Sequence, residues 1–191
     1  MRRFLNSDFF YAFTRSPLAI VSLLVVVLMV LSAILANFIA PTNPFDAASL
    51  NLMNGFTAPM EPNMFTGETF LLGTDDQGRD LFSAILFGLR VSLFVGVMAV
   101  GLAMVLGVLL GLIAGYLGGW LDTLIMRLAD IQMTFPSILI AMLIFGVARG
   151  LLPPELREEM AITVLILSIG LSEWVTFART VRGSTMVEKE K

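Results

Sequence analysis

The 191-residue chain is 57% apolar and only 14% charged, against about 45–50% and about 25% in an ordinary soluble domain. A protein of 20.8 kDa cannot hide that excess in its own core, so lipid must cover much of it and a water-soluble globule is excluded. The formal charge of −3, with no Cys, no His and no lysine before Lys189, leaves no basic footprint for nucleic acid, no thiolate or Ser/His nucleophile, no zinc site, no disulfide and no P-loop, so we expect neither enzyme chemistry nor a cofactor in this chain.

Residues 1–16 carry Arg2, Arg3 and Arg15 and read as a cytoplasmic N-terminal segment. Residues 17–40 follow as 24 residues without a charge, about 36 Å of helix, enough to cross a hydrocarbon core of about 30 Å with some tilt. The run exceeds the 7–15 residues of a secretory h-region, which favours an uncleaved first span over a signal peptide.

Residues 41–90 form an expected outer segment ending in an amphipathic helix, because Leu81, Phe82, Ile85, Leu86 and Leu89 make one apolar stripe. Just before that stripe lies Leu72-Gly73-Thr74-Asp75-Asp76-Gln77-Gly78-Arg79-Asp80, the most distinctive stretch of the sequence. Thr74 and Gln77 have capping-box spacing, and Asp75 and Asp76 would then sit at the positive end of a helix dipole. A calcium loop is the sharper alternative. The acids lack the alternate-position spacing with a central Gly that such a loop requires, so the helix start is preferred.

Residues 91–191 read as a core with three further spans. The second covers Val91 to Tyr116, within 31 uncharged residues between Arg90 and Asp122, long enough for one crossing and too short for two. Gly107, Gly111, Gly115 and Gly119 recur every fourth residue and predict a face on which another backbone approaches closely. The third span covers Ile131 to Ala148 and reaches back through Leu124. Arg127 and Asp130 have the i,i+3 spacing of an ion pair, read either as a solvated interfacial cluster with Asp122 or as a gating element. Pro136 should bend this helix, which suits a bundle that opens and closes but also occurs in static ones. The fourth span covers Met160 to Ala178. It contains one acid, Glu173, six residues and about 9 Å before Arg179, a candidate for a conformational role by its location in an apolar span. Turns at Gly118-Gly119, and at Gly150 with Pro153-Pro154, join these spans.

Orientation follows from the basic residues, which cytoplasmic flanks retain. With the N-terminus inside, Arg2, Arg3, Arg15, Arg127, Arg179, Arg182, Lys189 and Lys191 fall inside and Arg79, Arg90, Arg149 and Arg157 outside, eight against four. Both ends of this chain are therefore expected in the cytoplasm.

Four stretches in order carry a resemblance: Leu72 to Ser83; Gly111-Leu112-Ile113-Ala114-Gly115-Tyr116-Leu117-Gly118-Gly119-Trp120-Leu121-Asp122; Met126-Arg127-Leu128-Ala129-Asp130 with Phe135-Pro136; and Phe177-Ala178-Arg179-Thr180-Val181-Arg182-Gly183. Together they resemble the inner-membrane permease subunits of binding-protein-dependent ABC importers, in particular the C-type subunit of the dipeptide/oligopeptide/nickel branch. The resemblance implies an all-α polytopic protein of the bacterial inner membrane, with four transmembrane helices of an expected six. It implies a homologous permease subunit as partner, two cytoplasmic ATPase subunits that hydrolyse ATP, and a periplasmic or lipid-anchored substrate-binding protein. Peptides or related small solutes would be carried by alternating access. The same resemblance makes Arg179, Arg182 and Gly183 the approach to a cytoplasmic coupling loop followed by two more spans, so the chain is expected to be truncated and unable to couple to ATP alone. A four-helix ion-coupled carrier or channel using Glu173 and Arg127 is the competing reading, and a membrane-anchored assembly factor a further one. The ordered motifs argue against both, as does the lack of an inverted repeat against the carrier.

Overall fold

The computed structural model describes residues 13–46 and 50–189. Arg2, Arg3 and Lys191, counted above for orientation, lie outside the described residues. The described chain is helical, with two isolated antiparallel bridges and no strand among the described residues. Its contacts divide it into two compact units, one up to Leu93 and one from Phe94.

In the first unit, α1 (Pro17–Ile34) starts where Ser16 accepts a hydrogen bond from the Ala19 N–H and Pro17 occupies the first turn, the position that tolerates a missing donor. Its leucines and valines are exposed along the whole length, and Ala33 alone is buried, as expected of a helix solvated by lipid. The first span is shorter than 17–40: the helix ends at Ile34, and a separate turn, α2 (Ala36–Ile39), follows Leu35.

Among the described residues, the segment from Pro41 to Asp80 has no long element, only a 3-10 turn at Leu52–Asn54 and the bridges Pro62 to Thr69 and Thr74 to Asp80. Polar side chains hold it together. Thr57 Oγ1 donates to the Asn54 carbonyl at 2.7 Å and accepts from Asn63 Nδ2 at 2.7 Å, while Asn54 Nδ2 donates to Glu68 at 2.6 Å. Buried groups in such a segment must all be paired, and among the described residues no buried side-chain polar atom lacks a partner.

The expected amphipathic helix and second span are one element, α3 (Leu81–Leu117), 37 residues and about 56 Å long. No Gly pair or Pro interrupts the backbone between the stripe ending at Leu89 and the apolar run from Val91, and the single charge of Arg90 does not break a helix, which continues through it. In the first unit its start packs on the outer segment through Phe87, whose ring meets that of Phe45 edge-on at 6.2 Å.

In the second unit, α3 ends at the positive-φ pair Gly118 and Gly119. There follow α4 (Gly119–Met133), α5 (Ser137–Leu151), a 3-10 turn at Pro154–Leu156 and α6 (Ala161–Lys189). The expected third span is a broken pair: α4 and α5 meet at 95° across Thr134-Phe135-Pro136. Pro136 lacks the N–H that would continue the helix and pushes Phe135 out of the helical region. Among the described residues, three helices, α1, α3 and α6, are long and apolar enough to cross a membrane, and the bent pair would make a fourth. The last helix runs on past Ala178 without interruption, so Gly183-Ser184 is helical rather than a loop.

Candidate functional site

The stretch from Gly73 to Asp80 is a closed loop that starts α3, with a geometry different from a capping box. Asp80, 3% exposed, caps the helix itself: its carboxylate accepts from the Phe82 N–H at 3.3 Å, from the Ser83 N–H at 3.0 Å and from the Ser83 hydroxyl. Ser83 Oγ in turn accepts from the Thr42 N–H at 3.3 Å, tying the outer segment to the helix start. Thr74 faces the other way, accepting from the Thr57 N–H at 2.9 Å and donating to the Asn54 carbonyl. A Thr74–Gln77 capping box is therefore ruled out, because the helix begins four residues after Gln77, at Leu81.

Within the loop, Asp75 accepts from the backbone N–H of Gln77 and of Arg79, each at 2.9 Å, and from Arg79 Nε at 2.8 Å. Burial alone would raise its carboxyl, but these donors and the guanidinium charge outweigh it and hold the group below the usual carboxylate range. Gly73 and Gly78 both have φ of +77°. A Cβ on Gly73 would lie 2.5 Å from the Thr57 carbonyl oxygen, and one on Gly78 would lie 2.1 Å from that of Asn51. Both positions combine a backbone only glycine adopts freely with space only glycine leaves. The Asp75 oxygens are thus taken up by the loop itself, and no group of three or more metal-ligating side chains occurs among the described residues.

The glycine face meets a helix of the same unit. A Cβ on Gly107 would come within 2.4 Å of Phe177 Cβ and 2.6 Å of the Trp174 carbonyl oxygen; one on Gly111, within 2.5 Å of that of Ala178; one on Gly115, within 2.8 Å of Thr185 Cβ. From the other side, a Cβ on Gly170 would meet Leu102 at 2.6 Å. Contacts advance together along both helices, so α3 and α6 run parallel, backbone against backbone, as small residues permit. Gly119 does not belong to this face. The chain has already turned at Gly118, and nothing lies within 4 Å of a Cβ placed on Gly119.

The charged residues of α4 pair with α6. Arg182 Nε and Nη2 donate to the two oxygens of Asp122 at 2.5 and 2.6 Å, and Arg179 pairs with Asp130. The expected Arg127–Asp130 pair is not made; Asp130 turns to α6, and Arg127 is exposed with no ion pair among the described residues. The turn-length spacing allowed a local pair, but guanidinium groups from a packed neighbour compete for the same carboxylate. At the other end of α4, Gln132 Nε2 donates to the carbonyls of Leu171 and Ser172 at 3.1 and 2.7 Å, and its Oε1 accepts from Trp174 Nε1 at 2.9 Å. Asp122, Asp130 and Gln132 thus fasten α4 along α6 just ahead of the break at Pro136. Glu173, half-buried on α6, lines a cavity beside that break. Gln132 and Trp174 carried no sequence signal, since their partners lie 39 to 42 residues away.

The structure brings together Gly107, Gly111, Gly115, Arg179, Arg182 and Asp130 along α6, and Pro136 with Glu173 at the break. It holds Gly73, Thr74, Asp75, Gly78, Arg79 and Asp80 in the loop of the first unit. Comparison with known proteins matches both units. The family model for the N-terminal TM domain of oligopeptide transport permease C matches residues 5–59, and that for the binding-protein-dependent transport system inner membrane component matches residues 107–187. The chain is 33% identical over 186 residues to the dipeptide transport system permease protein DppC of Haemophilus influenzae, covering 96% of this chain and 58% of the relative. It is 39% identical over 187 residues to the glutathione transport system permease protein GsiD of Shigella flexneri, covering 96% and 54%. To the oligopeptide transport system permease protein OppC of Bacillus subtilis it is 34% identical over 184 residues, again 96% and 54%. The chain therefore spans about half the length of the curated relatives it matches. With two family models of one permease type matched in order and relatives 33–39% identical over 96% of this chain, the chain belongs to the inner-membrane permeases of binding-protein-dependent transport systems, in the branch that holds the C-type dipeptide and oligopeptide permeases.

Proposed function

We propose that this chain is a transport subunit without enzymatic activity of its own, forming with a homologous permease part of the path by which peptides or related small solutes enter the cell. Two cytoplasmic ATPase subunits drive it, and a periplasmic or lipid-anchored binding protein delivers the solute. Both ends of this chain face the cytoplasm, as the eight-to-four distribution of Lys and Arg favours. The observation that carries this reading is the similarity over 96% of the chain to permeases named for dipeptide, oligopeptide and glutathione transport.

The geometry supports it with a division of labour. Along the glycine seam α3 and α6 are locked backbone to backbone, and a packed seam of that kind moves as one body. The α4–α5 pair, bent by 95° at Pro136, is the element with two arrangements available, since two short helices joined at a proline break can change their angle without unwinding either one. ATP-driven closure below would tip this element and switch the path from inward-open to outward-open. Asp122, Asp130 and Gln132 transmit the movement by holding α4 to α6.

A tagged copy expressed from its own locus tests the assembly. Affinity purification in mild detergent should bring down one homologous permease, identified by mass spectrometry. Recovery of the chain only with copies of itself would favour the small-carrier reading instead.

A further inference from the structure

Beside the α4–α5 break lies a cavity of about 210 Å³, whose polar wall is Gln132, Ser137, Ser172, Glu173 and Thr176. The hydrogen bonds around it are unevenly distributed. Gln132 spends its amide on α6 and on Trp174, and the Ser172 hydroxyl donates to the Ile169 carbonyl at 2.8 Å. Among the described residues, the Glu173 carboxylate and the hydroxyls of Ser137 and Thr176 make no hydrogen bond or ion pair. The guanidinium groups that α6 could offer as counter-ions are committed, Arg179 to Asp130 and Arg182 to Asp122. One wall therefore presents a carboxylate and two hydroxyl acceptors with no cation opposite, inside a helix apolar enough to span a membrane.

A carboxylate in an apolar span favours a positive partner, and here Glu173 is half-buried with Ser137 and Thr176 exposed at the mouth of the cavity. A divalent metal would require more acidic ligands than this single carboxylate. A proton alone would leave unused a volume many times the roughly 10–15 Å³ that one water needs. A primary ammonium fits all three features: one positive charge, three N–H donors for a carboxylate and two hydroxyls, and a body that fills the remaining space against Phe135 and Ile140.

We propose that the cavity at the α4–α5 break binds the primary ammonium group of the transported solute, with Glu173 as its counter-ion and Ser137 and Thr176 as further acceptors. Because Ser137 begins α5 while Glu173 and Thr176 lie on α6, occupancy would bias the break between its arrangements. The inference rests on the permease reading for the identity of the ligand, though not for the existence of the site.

Binding of radiolabelled glycinamide, which carries the ammonium of a peptide N-terminus, to the full chain in lipid nanodiscs without ATP provides the test, read by equilibrium dialysis. Glycinamide should bind at millimolar concentration, and N-acetylglycinamide, of similar shape but neutral, should not compete with it. Glu173→Gln should weaken binding at least tenfold, and the Ser137→Ala/Thr176→Val double variant several-fold. Equal competition by the two amides, or equal binding by wild type and Glu173→Gln, overturns the proposal. Binding by a chain whose gene can be deleted without loss of peptide uptake would leave the site standing and remove the permease reading; loss of uptake on deletion, without glycinamide binding, would do the reverse.

Discussion

Arg182 grips Asp122 with two guanidinium nitrogens at 2.5 and 2.6 Å, joining the first turn of α4 to α6 across 60 residues of sequence. The pair is partly shielded, with side chains 31% and 19% exposed, so its two charge-assisted bonds count for more than those of a surface pair. Asp122→Asn and Arg182→Met should each lower stability by about 1–2 kcal/mol. The double variant should lose clearly less than the sum, with a coupling of about 1 kcal/mol in a double-mutant cycle. Additive losses in thermal unfolding would show that the two side chains do not depend on each other.

Substitution along the glycine seam should separate close backbone approach from helix propensity. Gly107→Ala and Gly111→Ala place a methyl within 2.4 to 2.6 Å of α6 atoms and should destabilise by about 1–3 kcal/mol or more through overpacking. Gly96→Ala, with nothing within 4 Å, should be neutral or stabilise by about 0.5–1 kcal/mol. Unfolding midpoints of the three variants in one detergent decide the matter. Equal midpoints would mean that α3 and α6 do not touch there.

The every-fourth-residue glycine pattern was legible in the sequence, but its partner was not, because periodicity marks a face and leaves the facing helix unnamed. Gly119 shows the limit of such counting: spacing extended the row by one residue past the end of the helix that gave it meaning. The loop before α3 is distinctive from its Gly, Asp and Arg content, yet capping-box spacing points to Thr74 where Asp80 caps the helix. Thr74 and Asp80 are both good caps by residue type, and the choice depends on Thr74 being drawn to Asn54 and Thr57. Pro136 announced a bend from its missing N–H alone, whereas the 95° angle depends on α6 holding α4 in place. The pairing of Asp130 with Arg179 rather than Arg127 was invisible for the same reason, since long-range packing chose between two allowed partners.

Acid should loosen the loop that starts α3. Asp75 has a folded-state pKa below its ordinary value of 3.8, so it binds protons less readily when folded than when unfolded. Its stabilisation is complete above about pH 4 and is lost as pH falls through the lower folded value. Hydrogen exchange at the Gln77 and Arg79 amides, which donate to Asp75, should therefore be protected at pH 5 relative to Asp75→Asn and lose that advantage as the pH is lowered through the folded-state value. Exchange unaffected by the substitution at pH 5 would show that the carboxylate does not hold the loop.

Topology can be read by single-cysteine labelling, because the chain contains no Cys. Met64, 95% exposed in the outer segment, and Ser184, exposed on the last turns of α6, are suitable sites. We expect Met64→Cys to react with an impermeant maleimide in intact cells and Ser184→Cys to react only after permeabilisation. Labelling of both in intact cells would overturn the orientation drawn from the basic residues.

The most direct test of the account as a whole is solute uptake in the native cell. Deleting the gene should abolish energy-dependent uptake of at least one labelled dipeptide, oligopeptide or glutathione while leaving free amino-acid uptake intact. The wild-type gene should restore it, and a gene encoding Gly111→Leu, which drives a larger side chain into the Ala178 backbone, should not. Unchanged uptake of every such solute in the deleted strain would contradict the assignment of this chain to an import path.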